Sequence, residues 1–246
     1  MMHEEYINIE RNEYATAIYR FTDVKWLLDS IVGKRNTLLS PRIWEDPFEN
    51  ALANQFRHLR STALYHFRNR VYGQCWTFQP ETDAFWRAYL PQGDGVRLKS
   101  TVHKLYRSLE TEISRTTLSH MSCCIGRVHY KQEDEIISLF HDKEWVQNVF
   151  LNQGTLGHVK SLLLKRMEFE YESEVRLLYL DPHNIDHGNL FSYDIDPFST
   201  ILEVTFDPRM EDTLYHTYES ILKSFGFTGE INKSRLYTAP KITISA

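Results

Sequence analysis

Short segments that alternate apolar and polar residues are separated along the chain by stretches with helical spacing. Residues 17–21 and 174–180 have the period of two that is typical of strands, and residues 71–77 are a run of β-prone residues. Val24, Leu27, Leu28 and Ile31 instead follow helical spacing between a cap at Thr22 or Asp23 and a stop at Gly33. The pattern predicts a strand that leads directly into a helix near the N terminus.

The rest of the chain continues this mixture of elements. Further strands are predicted at 38–41, 96–98, 121–130, 200–206, 235–237 and 242–244, and further helices at 48–67, 81–89, 101–117, 145–167 and 211–225. Alternation outweighs continuous apolar runs, which favours an α+β fold with a mixed, mostly antiparallel sheet, one solvated sheet face and flanking helices. No repeat, low-complexity tract or Pro/Gly/Ser-rich linker interrupts the sequence, so residues 1–246 are expected to form a single domain.

Composition narrows the class of protein. The net charge of -5 argues against a whole-domain electrostatic surface for duplex DNA or anionic membranes. No stretch approaches the roughly 20 apolar residues of a membrane span, and the acidic start of the chain is unlike a signal peptide, so a cytoplasmic protein without membrane partners is expected. The cysteines Cys75, Cys123 and Cys124 have no metal-binding spacing and are expected to be reduced.

The sequence lacks a Walker loop, GxGxxG, GxSxG and HExxH, and no metal site is predicted. His183 and His187 are four residues apart, but Pro182 and Gly188 favour a loop there. One segment is basic, and it is either a solvated helix face or a nucleic-acid contact; its residues are Arg57, His58, Arg60, His66, Arg68 and Arg70.

Two candidate sites combine charge or hydroxyl groups with aromatic residues. Arg20 follows Tyr19 in an otherwise apolar strand, so its guanidinium needs a partner: a core carboxylate or a bound phosphate. Residues 73–77, with Trp76 and Thr77, precede Trp86, Arg87 and Tyr89 on a helix. These rings either frame a flat ligand or pack in the core.

A third candidate is a row of glutamates at alternate positions, Glu168, Glu170, Glu172 and Glu174. A continuous strand would place all four on one face, where like charges repel unless a cation or ligand lies opposite. The alternatives are a functional site and a charged face on an edge strand neutralised by Lys165, Arg166 and Arg176.

Several segments, in this order, resemble a bacterial family known as domain of unknown function 2971. The matching residues are Tyr19-Arg20-Phe21 with Trp26-Leu27-Leu28, Leu39-Ser40-Pro41 with Asp46-Pro47-Phe48-Glu49, Cys75-Trp76-Thr77 with Trp86-Arg87-Ala88-Tyr89 and Gly95-Val96, Lys165 with Glu172-Ser173-Glu174-Val175-Arg176, and Phe206-Asp207-Pro208-Arg209. The usual family form has Ser at the position of Thr77 and Asn at that of Glu45.

The order of an aromatic-Arg strand, a strand with a small hydroxyl and Glu-x-Glu entering a late strand is also similar to that of NAD-dependent ADP-ribosyltransferases. This second resemblance implies a split, mostly antiparallel α+β sheet and NAD as the substrate. It implies that Arg20, next to Tyr19, grips the NAD diphosphate or the adenosine ribose and that Thr77 orients the site. Glu174 would be the catalytic glutamate and Glu172 would assist the acceptor. Trp76 or Trp86 would stack on nicotinamide.

Three hypotheses follow. The first is an ADP-ribosyltransferase-like enzyme that modifies RNA, DNA or protein, as a toxin or phage-defence effector with an antitoxin-like partner. The second is a non-catalytic module that binds nucleic acid or protein through the basic helix at 57–70. The third is a metal-dependent nuclease built on Asp46, Glu49 and the glutamate row.

Overall fold

In the computed structural model, the described residues are 5–44, 46, 48–49, 70–116, 122–147, 156–181 and 187–240, and within them ten strands form one sheet. The strands in chain order are β1 (Tyr6–Ile7), β2 (Ala17–Asp23), β3 (Arg35–Leu39), β4 (Val71–Thr77), β5 (Gly95–Thr101), β6 (Cys123–Arg127), β7 (His129–Lys131), β8 (Leu164–Arg166), β9 (Glu174–Leu180), β10 (Leu190–Asp194), β11 (Glu203–Phe206) and β12 (Glu230–Lys233). β7 and β8 form a separate two-stranded parallel sheet.

The main sheet has the order β1-β6-β9-β4-β2-β5-β11-β12, and β3 joins β10 to β4. The β1–β6 and β11–β12 pairs are parallel, and the other pairs in this sheet are antiparallel. The α-helices are α1 (Val24–Val32), α2 (Asp83–Tyr89), α3 (Val102–Thr116), α4 (Glu133–His141), α5 (Lys143–Val146), α6 (Leu156–Ser161), α7 (Pro197–Thr200) and α8 (Asp212–Ser224), with 3-10 turns at Arg11–Glu13, Pro41–Ile43 and Met167–Glu172. The predicted α+β class with a mixed, mostly antiparallel sheet is confirmed.

The sheet splits along one edge of β4. On one side β4 pairs with β9 over its whole length, from Val71 opposite Leu180 to Thr77 opposite Glu174. On its other side β4 meets two strands, β2 at the pair Tyr19–Thr77 and β3 at the pair Leu39–Gly73. Between these two contacts the sheet opens, and this opening is the place of the candidate site.

Both faces of the central strands are covered, which corrects the expectation of one solvated face. All seven residues of β9 are buried. Val175, Leu177 and Tyr179 belong to one apolar cluster, while Leu178 and Leu180 belong to a second. Alternate side chains of one strand therefore supply two cores, because successive side chains point to opposite faces.

Most predicted elements are present, including β2 followed by α1, which begins after Asp23 and ends at Gly33 as expected. Three predictions are wrong. Residues 121–130 contain two strands in different sheets rather than one strand, the end of the predicted helix at 145–167 is strand β8, and 235–237 is not a strand. The elements that sequence analysis missed, β1, β10, β12, α4 and α7, include short strands paired with distant partners, which leave little local signal. The predicted helix at 48–67 lies almost entirely outside the described residues, and the predicted strand at 242–244 lies wholly outside them.

Candidate active site

A cavity of about 210 Å³ lies in the opening between β2, β3 and β4. It is lined by Tyr19, Arg20, Phe21, Leu39, Trp44, Gly73, Gln74, Cys75, Trp76, Thr77, Tyr89, Glu172 and Glu174. The fold therefore brings together six of the seven predicted site residues, from three distant parts of the chain. The seventh, Trp86, does not line the cavity.

Arg20 is a positively charged residue of the cavity wall. It is partly buried on β2 and forms no hydrogen bond or ion pair with any residue in the described part of the chain. Burial lowers the pKa of Arg20 to about 10, which leaves the guanidinium charged at neutral pH. A buried charge without a partner is costly unless something else neutralises it, and the planar guanidinium matches phosphate and carboxylate groups. Of the two predicted partners, a core carboxylate is thus not found among the described residues.

Glu172 and Glu174 converge on one lysine. The Nζ atom of Lys165 donates to Oε2 of Glu172 at 2.5 Å and to Oε1 of Glu174 at 2.7 Å. On its other side Oε2 of Glu174 accepts from Nε of Arg176 at 2.7 Å. Arg176 is fully buried and also donates to Oε1 of Glu49 at 2.5 Å. Three carboxyl groups thus share two buried cations.

The pKa values of Glu172 and Glu174 are shifted in opposite directions. Burial, followed by the hydrogen bond and the charge of Glu174, raises the pKa of Glu172. Burial also opposes the ionisation of Glu174, but Arg176, the hydrogen bond from Glu172 and Lys165 together outweigh it and lower the pKa of Glu174. The pair therefore holds Glu174 ionised while Glu172 carries the more basic carboxyl, an arrangement found where an acid and a base must act side by side.

The four glutamates do not lie on one strand face, so that prediction is wrong. Residues Met167–Glu172 form a 3-10 turn, and Ser173 is in the left-handed conformation with φ 45° and ψ 51°. This kink, which precedes β9, turns Glu172 back toward Glu174, whereas Glu168 and Glu170 are exposed. The period of two fails here because a 3-10 turn has about three residues per turn.

Thr77 fixes this turn in place. Its hydroxyl donates to the carbonyl of Glu172 at 2.5 Å and accepts from the backbone N–H of Gln79 at 2.9 Å. Thr77 also lies opposite Glu174 in the β4–β9 pair. The hydroxyl is thus committed to the backbone, and its contribution is to orient the turn that carries Glu172.

The predicted aromatic residues differ in their positions. Trp76 lines the cavity, and its indole N–H donates to Oε1 of Gln74 at 2.7 Å. Tyr19 lines the cavity with the guanidinium of Arg97 5.0 Å from its ring centroid. Trp86 is wholly buried, packs edge-on against Phe21 at 4.9 Å and donates to Glu81 at 2.7 Å. Trp86 therefore supports the cavity wall from behind, and its predicted stacking on a ligand is wrong for this arrangement.

Sequence analysis missed Trp44 as a residue of the cavity wall. Trp44 lines the cavity and lies 4.6 Å from the guanidinium of Arg176. It packs against Gly73, where an added Cβ would lie 2.9 Å from the Trp44 ring and 2.8 Å from Leu178. The loop position of Trp44 has no periodicity to mark it, and Gly73, a glycine within a strand, is the one signal of a close approach at this site.

The described residues give no support to the metal hypothesis. In the ranges that the structure covers, no group of three His, Cys, Asp or Glu residues could hold a metal ion. Asp46 pairs with Arg166 at 3.2 Å and Glu49 pairs with Arg176. His187 contacts Asp181 at 2.6 Å, while His183 lies outside the described residues. The basic segment at 57–68 also lies outside them.

No helix in the described part of the chain is long and apolar enough to cross a membrane.

Among curated proteins, none matches the sequence. Three solved structures of DarT from Thermus sp. 2.9 align with it: a complex with carba-NAD+ (13% identity, TM-score 0.37, covering 90% of this chain and 96% of that one), a complex with NAD+ (12%, 0.37, 90% and 96%) and a complex with ADP-ribosylated ssDNA (13%, 0.38, 90% and 95%). Residues 85–177 match the model of the family described as "Protein of unknown function (DUF2971)". The predicted resemblance to domain of unknown function 2971 is therefore confirmed over these residues, from α2 to β9.

Proposed function

We propose that this cavity binds NAD, cleaves the bond between nicotinamide and ribose, and transfers ADP-ribose to a macromolecular acceptor. The observation that carries the proposal is that one cavity is lined both by Arg20, which has no ion-pair partner among the described residues, and by Glu174, whose carboxylate two buried cations contact. The first group suits the anionic part of the substrate and the second suits the positive charge of its transition state.

Arg20 binds the diphosphate. Its charge has no protein partner in the described residues, so a phosphate oxygen pair gains a charge-assisted bidentate contact without breaking an existing ion pair. Fixing the diphosphate also fixes the attached ribose relative to the carboxylates, which removes much of the entropy cost of reaction.

Glu174 stabilises the reacting ribose. The C1′–N bond breaks with its electron pair leaving on nicotinamide, and positive charge develops on the ribose ring. A carboxylate directed at that carbon stabilises the transition state more than the ground state. The acceptor nucleophile then bonds to C1′, and its proton passes to Glu172, whose raised pKa suits it as the base.

The cavity fits one end of this substrate. A volume of about 210 Å³ is below the roughly 300–1,000 Å³ of typical small-molecule pockets. We place the nicotinamide end of the substrate in this cavity and the rest of the dinucleotide beyond Arg20. Thr77 keeps the Glu172 turn against this wall.

The test is consumption of NAD by the purified chain. We expect nicotinamide release, measured by chromatography, and transfer of label from ³²P-NAD to at least one of an RNA, a single-stranded DNA or a protein mixture. Glu174→Gln should abolish both. Glu219→Gln is the matched control because Glu219 is a partly exposed glutamate paired with Lys223 on α8. A wild-type chain that neither binds NAD nor releases nicotinamide refutes the proposal.

The identity of the acceptor, a toxin or phage-defence role, an antitoxin-like partner, a cytoplasmic location and a single domain over 1–246 remain predictions from the sequence. The label-transfer assay separates the three acceptor classes directly.

A further inference from the structure

The small sheet β7–β8 touches the candidate active site through one pair of side chains. Tyr130 on β7 and Lys165 on β8 are directly opposite in the parallel register. Side chains of opposite residues project to the same face of a sheet, and here both reach Glu174. The Tyr130 hydroxyl accepts from the backbone N–H of Glu174 at 2.8 Å, while Lys165 Nζ donates to its carboxylate at 2.7 Å.

The backbone around Glu174 is held from the same side. Its carbonyl accepts from the N–H of Val128, the residue between β6 and β7, at 3.0 Å. The main chain and the side chain of Glu174 therefore both have contacts from β7–β8 and the residue that leads into it, in addition to the contact from Arg176 on β9. Lys165 is buried and lies between two carboxyl groups, so its charge sets their proton affinity as well as their positions.

We propose that β7–β8 is the positioning element of the site, in which Tyr130 holds the backbone of Glu174 and Lys165 orients its carboxylate and places, with Arg176, a positive charge beside it. Neither residue lines the cavity, so both act through Glu174 rather than on the substrate. The inference rests on the proposed function for its kinetic consequences, but the ionisation of the pair is independent of any substrate.

The ionisation of the pair depends on every charged or titratable neighbour. The groups that face Glu172 and Glu174 are Lys165, Arg176, Glu49, Tyr89, Tyr130, Tyr171 and Cys75. Lys165→Met removes one of the two cations while retaining most of the side-chain length. The proton affinity of the pair should then rise, because both buried carboxyl groups lose the cation that they share.

The experiment is a ¹³C-carboxyl NMR titration of glutamate-labelled protein, with signals assigned through Glu172→Gln and Glu174→Gln. We expect Lys165→Met to raise the titration midpoint of the pair by about one pH unit or more. Lys165→Arg, which keeps the charge, should restore most of the wild-type midpoint. Lys131→Met is the matched control because Lys131 lies on β7 and pairs at 3.8 Å with Glu135.

The kinetic arm separates positioning from folding. We expect kcat for NAD cleavage to fall roughly 100-fold in Lys165→Met, with its acid limb moved to higher pH, while KM stays within about threefold. Tyr130→Phe should lower kcat by about tenfold without moving the pH profile, because it removes a hydrogen bond but no charge.

An unmoved NMR midpoint in Lys165→Met overturns the inference, as does an unchanged kcat in that variant. If circular dichroism shows that Lys165→Met is unfolded, an unchanged kcat in Tyr130→Phe overturns it. A wild-type chain that does not cleave NAD refutes the proposed function alone, because the NMR titration still tests the control of the pair by Lys165.

Discussion

Replacing Arg20 by methionine is expected to stabilise the chain and to abolish ligand binding together. Burial lowers the pKa of Arg20 to about 10, below its ordinary value of 12.5, and no described residue offsets this burial with a hydrogen bond or ion pair. At about 1.4 kcal/mol per pH unit, holding the guanidinium charged here costs on the order of 3 kcal/mol. The side chain keeps some contact with solvent, so the gain on removing its charge is smaller, about 1 to 2 kcal/mol.

The same change removes the contact proposed for the diphosphate. Charge-assisted hydrogen bonds contribute about 1.5–3 kcal/mol each, so losing a bidentate pair weakens NAD binding by about 100-fold or more. Urea unfolding and thermal melting without ligand measure the first effect, with a rise in Tm of about 2–4 °C per kcal/mol. Isothermal titration calorimetry with NAD measures the second.

Arg97→Met supplies the contrast. Arg97 on the neighbouring strand β5 is buried, ion-paired to Glu203 and hydrogen-bonded to the carbonyl of Pro80 at 2.6 Å. Removing it takes one of two cations from the buried Glu203, which keeps Lys99 at 3.1 Å, and should lower the free energy of unfolding by about 1–3 kcal/mol. If Arg20→Met destabilises the protein as Arg97→Met does, or if it binds NAD normally, Arg20 is a structural arginine and the assignment of the anion site is refuted.

Three other predictions address the carboxylates. Glu174→Gln should retain NAD binding but lower kcat for nicotinamide release by ~1,000-fold or more, because the charge that stabilises the ribose is gone; equal loss of binding would contradict this role. The folded chain should hold a proton on Glu172 between its ordinary pKa of 4.5 and about 7, after the unfolded chain has released it. Glu172 therefore makes the free energy of unfolding fall as pH rises through this window, and Glu172→Gln should abolish its contribution in urea titrations at pH 5 and 8; an identical pH slope in both proteins would refute it. Thr77→Val should lower the free energy of unfolding by about 1–3 kcal/mol, since the Glu172 carbonyl loses its donor, and should lower kcat more than it raises KM; a variant as active as wild type would show that the hydroxyl does not orient the site.

Local sequence predicted the elements that carry the site. Alternation identified β2 and β9, and a run of β-prone residues identified β4. A charged residue within the apolar stretch of β2 marked Arg20 as a group that needs a partner. Thr77 and Glu174 were placed correctly on β4 and β9, where they lie opposite each other. These inferences succeed because period and polarity are properties of neighbouring residues.

The arrangement of the glutamates could not be predicted in the same way. The alternate spacing of the glutamates predicted a strand over residues 168–174. In the structure, the left-handed residue Ser173 separates a 3-10 turn from β9, and of the turn's glutamates only Glu172 faces Glu174. Trp86 shows the same limit: its residue type suits a stacking wall, yet its position beneath Phe21 is decided by how α2 packs on β2.

The sequence by itself determined the mixed α+β character, the strands and helices with strong periods and the residue types available for chemistry. Tertiary structure alone decided that one edge of β4 pairs partly with β2 and partly with β3, which opens a cavity between them. It also decided that Arg20 lines this cavity without a partner among the described residues. It also decided which cations hold the carboxylates, since Arg176 meets Glu49 across 127 positions of sequence. Contacts over such separations depend on the packing of whole elements, so a local pattern of polar and apolar residues does not predict them.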